Sequence, residues 1–123
     1  MNIKITLGLR ILLGILLLVF GSNKFIGFLP NFEFANPEAG VFFGALANSY
    51  VLKTVALTEI IAGILLLINK SVPFALLLIV PISINIVLFH ITLDPANIAP
   101  AIVVFALNAY LIYRKWDHYK GLF

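Results

Sequence analysis

The chain has 123 residues, 63% hydrophobic and 11% charged, with a formal net charge of +3 and no cysteine. Soluble domains are about half apolar and about a quarter charged, so this balance excludes a fold that covers itself with polar groups in water and makes lipid the solvent. The missing cysteines exclude disulfides, thiolate metal sites and iron–sulfur ligation by this chain, and so small a positive charge gives no reason to expect nucleic acid.

A membrane helix needs about 20 mostly apolar residues. The first such run covers about Ile5 to Phe28 and ends at Leu29-Pro30. It is too long for a signal-peptide core and no A-x-A-like site follows it, so a retained span is expected. Along it Arg10, Gly14, Leu17, Gly21 and Lys24 recur at steps of four and three, which places them on one face. Glycines permit a neighbouring helix to approach closely, and cations facing lipid are costly. The stripe is therefore expected to face other helices.

The loop from Pro30 to Ser49 carries its own helix start, Asn36-Pro37-Glu38: a cap, a first-turn proline and an acid at the positive dipole end. The apolar "AGVFFGALA" that follows is too short to cross. A segment of about 37–48 is expected to lie on the outer surface as an interfacial helix, with a lid over a cavity as the functional alternative.

The second span covers about Tyr50 to Ile68, with Lys53 near its start, and stops at Asn69-Lys70-Ser71. Glu59 stands near its middle, with Ala56 and Gly63 on the same face. The third covers about Val72 to Leu93, with Pro73 in its first turn, where a missing N–H costs little, and holds Asn85 and His90. The fourth, about Ile98 to Tyr113, is short, but Trp116 and Tyr119 follow at a headgroup-level position, and Asn108 lies in its inner half.

Lipid offers the backbone no hydrogen-bond partners, and these runs are continuous rather than alternating, so they are helices and not barrel strands. The short connections at 69–71 and 94–97 make neighbours antiparallel. The expected fold is all-α, a single four-span domain over residues 1–123 built as a four-helix up-down bundle. Lys4, Lys70, Arg114, Lys115 and Lys120 fall on one side of it, while Glu33, Glu38 and Asp94 fall on the other. The positive-inside rule puts both termini in the cytoplasm.

Depth decides which polar residues can meet. Glu59 and Asn85 are near the centre; Lys24, Lys53 and His90 lie about 10 Å toward the outer side, and Arg10 about as far toward the inner side. A polar column is expected, with Glu59 in reach of Asn85 and of a basic side chain from Arg10, Lys24 or Lys53. Asn85 and His90 are about 140° apart around their helix, so they point at different spots. His90 shares a face with Asp94 one turn on, which allows a pair. Each residue also has a purely structural reading. Asn85 can bond across the bundle, Arg10, Lys24 and Lys53 can snorkel to headgroups, and His90 can be satisfied by Asp94 or water. Glu59 is too deep to snorkel, and a charge at that depth needs a partner or a proton. A single histidine within the spans argues against bis-histidine haem ligation by this chain, and no cluster has metal-ligand spacing.

The segment "LRILLGILLLVFGSNKF", with Arg10, Gly14, Gly21 and Lys24, resembles the first helix of the DoxX/DoxX-like family. "EIIAGILLLINKSVPFALLLIVPISINIVLFH", with Glu59, Gly63 and Asn85, resembles its second and third helices. The resemblance implies a four-helix protein of the cell (inner) membrane. It also implies a redox setting, since some members are subunits of a thiosulfate:quinone oxidoreductase and others associate with redox or stress-defence proteins. Two classes of function follow. In one, the chain is a redox-linked subunit binding a quinone or another small apolar molecule. Glu59 (as proton carrier) and His90 are then the candidate catalytic groups, and Arg10, Lys24, Lys53 and Asn85 the candidate binding groups. In the other, it is a non-enzymatic accessory or assembly subunit, and the polar residues only fix helix register. Other membrane or redox subunits are the expected protein partners, beside the bilayer itself.

Overall fold

The computed structural model describes residues 3–28, 34 and 36–123, which form helices and their connecting turns. Five α-helices follow one another: α1 (Ile3–Ile26), α2 (Pro37–Ala47), α3 (Tyr50–Ile68), α4 (Val72–Leu93) and α5 (Ala99–Arg114). Short 3-10 turns occupy Pro95–Asn97, Trp116–His118 and Lys120–Leu122. No strand occurs among the described residues. Glu33 and the Leu29-Pro30 boundary lie outside the described residues.

Local chemistry sets the boundaries. Gly27 takes φ 72° and its N–H closes on the Asn23 carbonyl at 2.7 Å, so α1 ends at Ile26, two residues before the expected stop. A left-handed residue after a helix is the usual glycine C-terminal cap. The Asn36 side chain accepts from the Glu38 N–H at 3.0 Å and starts α2. Ser49 caps α3 in the same way through the Val51 N–H at 3.3 Å. Asn69 and Ser71 both adopt positive φ, 58° and 49°, and turn the chain sharply between α3 and α4.

α1 packs mainly against α3 and also against α5; α4 packs against α3 and α5; α2 rests on α3 and α4. The core is a thin seam of Leu13, Leu17, Leu66, Leu76 and Ile79 with Ala62 and Ala75. Most apolar surface stays outside it. Only 17% of the most apolar stretch of α1 is buried, and 28% of those of α3 and α4. These three helices are long and apolar enough to cross a membrane, and α5 is a shorter apolar helix. In water such surface would cost about 25 cal/mol per Å2; in hydrocarbon it costs nothing.

Outward-facing polar side chains obey the same solvent. Thr54, Thr58 and Thr92 each donate to the carbonyl four residues earlier, at 3.0, 2.9 and 2.7 Å. No buried side-chain nitrogen or oxygen among the described residues lacks a partner.

Candidate functional site

The site is built on the seam between α1 and α3. Gly14 and Gly63 face each other: a Cβ at Gly14 would lie 3.1 Å from the Gly63 carbonyl, and one at Gly63 would lie 2.9 Å from the Gly14 carbonyl. At Gly21 a Cβ would lie 2.9 Å from the Ala56 carbonyl and 3.2 Å from Cβ of Glu59. The helices touch backbone to backbone because these side chains are missing. That approach brings Glu59, the tenth of nineteen residues in α3, against the last turn of α1.

Lys24 donates to Oε1 of Glu59 at 2.7 Å. Glu59 is 1% exposed, while the Lys24 side chain keeps 20%. Lys24 also approaches the Phe20 carbonyl at 3.4 Å, so its side chain folds back along α1. It does not snorkel outward. The reason is the direction of helical side chains, which lean toward the helix N-terminus and here toward the bundle centre.

Arg10 closes the other end of the stripe. Its Nη1 donates to the Leu66 carbonyl at 3.0 Å, in the last turn of α3, where helix carbonyls lack internal partners. It lies about 21 Å along α1 from Lys24 and does not join the Glu59 pair. Of the three basic residues considered for Glu59, the structure brings only Lys24 to it. Lys53 is exposed at the end of the first turn of α3 and makes no ion pair among the described residues.

Asn85 is not within reach of Glu59, contrary to the expected column. It lies on an exposed face of α4, and its Nδ2 donates to the Pro81 carbonyl of its own helix at 2.7 Å. The polar residues that α4 turns inward are Ser83 and His90, and Ser83 is not among those the sequence pattern singles out. Ser83 donates to Oδ1 of Asn108 at 3.0 Å, and Nδ2 of Asn108 donates to the Leu76 carbonyl at 3.0 Å. This buried bridge joins α4 to α5. A serine two residues from an asparagine on an otherwise apolar helix was its only signal.

A second polar group closes the far end of α4. His90 Nδ1 lies 3.1 Å from the Asp94 carbonyl and 3.5 Å from Oδ2 of Asp94. Asn97 donates to both carboxylate oxygens of Asp94, at 3.1 and 2.9 Å. Asp94 is fully buried and His90 is 8% exposed. Phe89 packs edge-on to His90 at 5.1 Å and meets Phe34 and Phe42 at 5.9 and 5.7 Å. Beside this aromatic group an apolar groove of about 530 Å3 runs between α2 and Leu93. No group of three or more metal-ligating acids or histidines occurs among the described residues.

Long apolar helices, lipid-facing hydrophobic surface and a buried interhelical ion pair define an integral membrane protein of helical type. The chain belongs to the DoxX family, whose model matches residues 5–91 and so takes in nearly all of α1, the whole of α2 and α3, and nearly all of α4. No curated protein and no solved structure matches it.

Proposed function

We propose that the protein is a single four-span domain of the inner membrane, with both termini in the cytoplasm, acting as an accessory or assembly subunit of a larger membrane complex. α5 serves as the fourth span, lengthened toward the headgroups by Trp116 and Tyr119. α2 lies at the outer interface. Its apolar sequence and its packing on α3 and α4 support that place.

The Lys24–Glu59 pair carries the accessory reading. The costliest group in the spans is committed to a cation on the neighbouring helix. It clamps the register of α1 against α3, which is a structural task.

The His90 group favours a second reading, a redox-linked subunit that takes a quinone or a similar small apolar molecule. Its buried imidazole sits beside Phe89 and close to an apolar groove. A quinone ring would rest on the aromatic group, with its carbonyl oxygens held by His90 and Lys24 and with Glu59 as the protonable group. When bound, it would carry electrons and protons. Solvent extraction of the purified protein separates the two readings. The accessory role predicts no stoichiometric quinone and a Glu59→Gln variant of lowered stability. Quinone at about one per chain, with an ultraviolet redox change abolished by His90→Phe, would overturn it in favour of the second.

A further inference from the structure

At the end of the molecule opposite Lys24 and His90, α1, α4 and α5 enclose a cavity of about 260 Å3. Arg10 of α1, Arg114 of α5 and the following Lys115 line it, and among the described residues no carboxylate does. Neither Arg114 nor Lys115 has a carboxylate partner among the described residues; the nearby Lys120 takes Asp117 at 3.1 Å. Arg10 spends one donor on the Leu66 carbonyl. A guanidinium has five, so four remain. Three like charges gathered beside apolar helices repel one another, and an anion among them removes that cost.

The rest of the lining is apolar. Ile3 and Leu7 form one wall and are 80% and 46% exposed, while Leu111 and Val72 are buried behind. A stacked Trp116–Phe123 pair, 5.7 Å between centroids, stands just past α5 and marks the headgroup level. The α4 N-terminus adds to the field. Val72 lines the cavity, and the preceding Ser71 makes no side-chain cap, so the positive dipole end is left without an internal acceptor. Cations gathered at the basic end of helices whose exposed surface is apolar fit the phosphate ester of a lipid that already lies against those helices.

We propose that this cavity binds the phosphate of an anionic phospholipid, with Arg10, Arg114 and Lys115 on the phosphate and its acyl chains running toward the bilayer centre outside the cavity. Arg114 and Lys115 give the test, because they end α5 and Arg114 is exposed, whereas Arg10 also holds α3. The purified protein in neutral detergent is titrated with phosphatidylglycerol, phosphatidylcholine or inorganic phosphate, and thermal unfolding is followed. Phosphatidylglycerol is expected to raise the Tm at lower concentration than phosphatidylcholine. The Arg114→Gln/Lys115→Gln variant should lose that preference by at least about tenfold, while Lys53→Gln keeps it. Stabilisation by inorganic phosphate at millimolar concentration, lost in the double variant and unaccompanied by a lipid effect, would keep the anion site but overturn the lipid as its occupant in favour of free phosphate. Equal responses to the two lipids with no phosphate effect would overturn the proposal, as would a preference that survives in the double variant. Lys115→Met alone gives the same reading should the double variant fold poorly.

Discussion

Lys24 and Glu59 are unequal partners. The carboxylate is almost wholly enclosed, while the ammonium keeps a fifth of its side chain exposed. Removing one member of a buried pair costs about 3–5 kcal/mol because the other is left uncompensated. Lys24→Met is therefore expected to cost the larger share. Glu59→Gln should cost less, since glutamine still accepts from Nζ and Lys24 can turn outward. Lys24→Met/Glu59→Leu should recover most of the loss. Unfolding in mixed micelles measures all three, and a double variant no more stable than Lys24→Met would refute the pairing argument. Tyr119 offers a test outside the spans. Its hydroxyl donates to the Pro73 carbonyl at 2.6 Å, and burial pushes the phenol up from 10.0 to about 12. The folded state thus holds the proton more tightly than the unfolded one. The stabilisation is full below pH about 10 and is lost as pH rises through about 12. Tyr119→Phe should cost about 1 kcal/mol at neutral pH and then lose less than the parent protein between these limits. A parallel decline of both Tm values would count against the buried hydrogen bond. At this scale the sequence was only partly legible. Spacing put Arg10 and Lys24 on one stripe, but a lysine is long enough to reach either way, and only the packed neighbour decides that Lys24 folds inward while Lys53 stays exposed.

The contact between α1 and α3 depends on residues that have no side chain. At Gly21 a methyl group would press on a backbone carbonyl of α3 at 2.9 Å, and a carbonyl in a helix cannot swing aside. Gly21→Ala is expected to cost about 1–3 kcal/mol through overpacking, and Gly14→Ala a comparable or smaller amount because it meets mainly the flexible end of Leu67. Gly8 has nothing within 4 Å of an added Cβ, so Gly8→Ala should gain up to about 1 kcal/mol from helix propensity alone. The three variants in one unfolding series separate packing from propensity; a uniform gain would show that the helices do not touch at glycine. The glycine stripe was readable because its period matched a helix face. The inward face of α4 was not. That helix is apolar on every side, so Ser83 and Asn85 offered equal claims, and they lie about 200° apart. Tertiary packing turned Ser83 toward Asn108 and left Asn85 to its own Pro81 carbonyl.

Across the whole molecule, charge and apolar surface divide by position. Lys4, Lys70, Arg114, Lys115 and Lys120 gather where α1 and α4 begin and α3 and α5 end, whereas Glu38 and Asp94 lie at the opposite end. Between them the surface is a belt of exposed Leu, Ile, Val and Phe side chains, among them Leu57, Ile64, Phe74, Leu88 and Ile102. The belt was legible from composition alone, since so few charges cannot cover a protein in water. The sequence did not show how little of it the helices would bury against one another, because that depends on the thinness of the glycine-closed seam. Basic residues next to spans are retained on the cytoplasmic side, so the basic end is expected to face inward. The absence of cysteine makes this directly measurable. A cysteine placed at Ser71, in the turn between α3 and α4, should resist a membrane-impermeant thiol reagent in intact cells and react after lysis. A cysteine at Asn36, the cap of α2, should react in intact cells. Both sites lie in turns, so neither substitution interrupts a span, although Ser71→Cys must keep a φ of 49° and Asn36→Cys gives up its cap. Labelling at Ser71 together with protection at Asn36 would invert the orientation, and labelling at both would mean that α3 does not cross the bilayer.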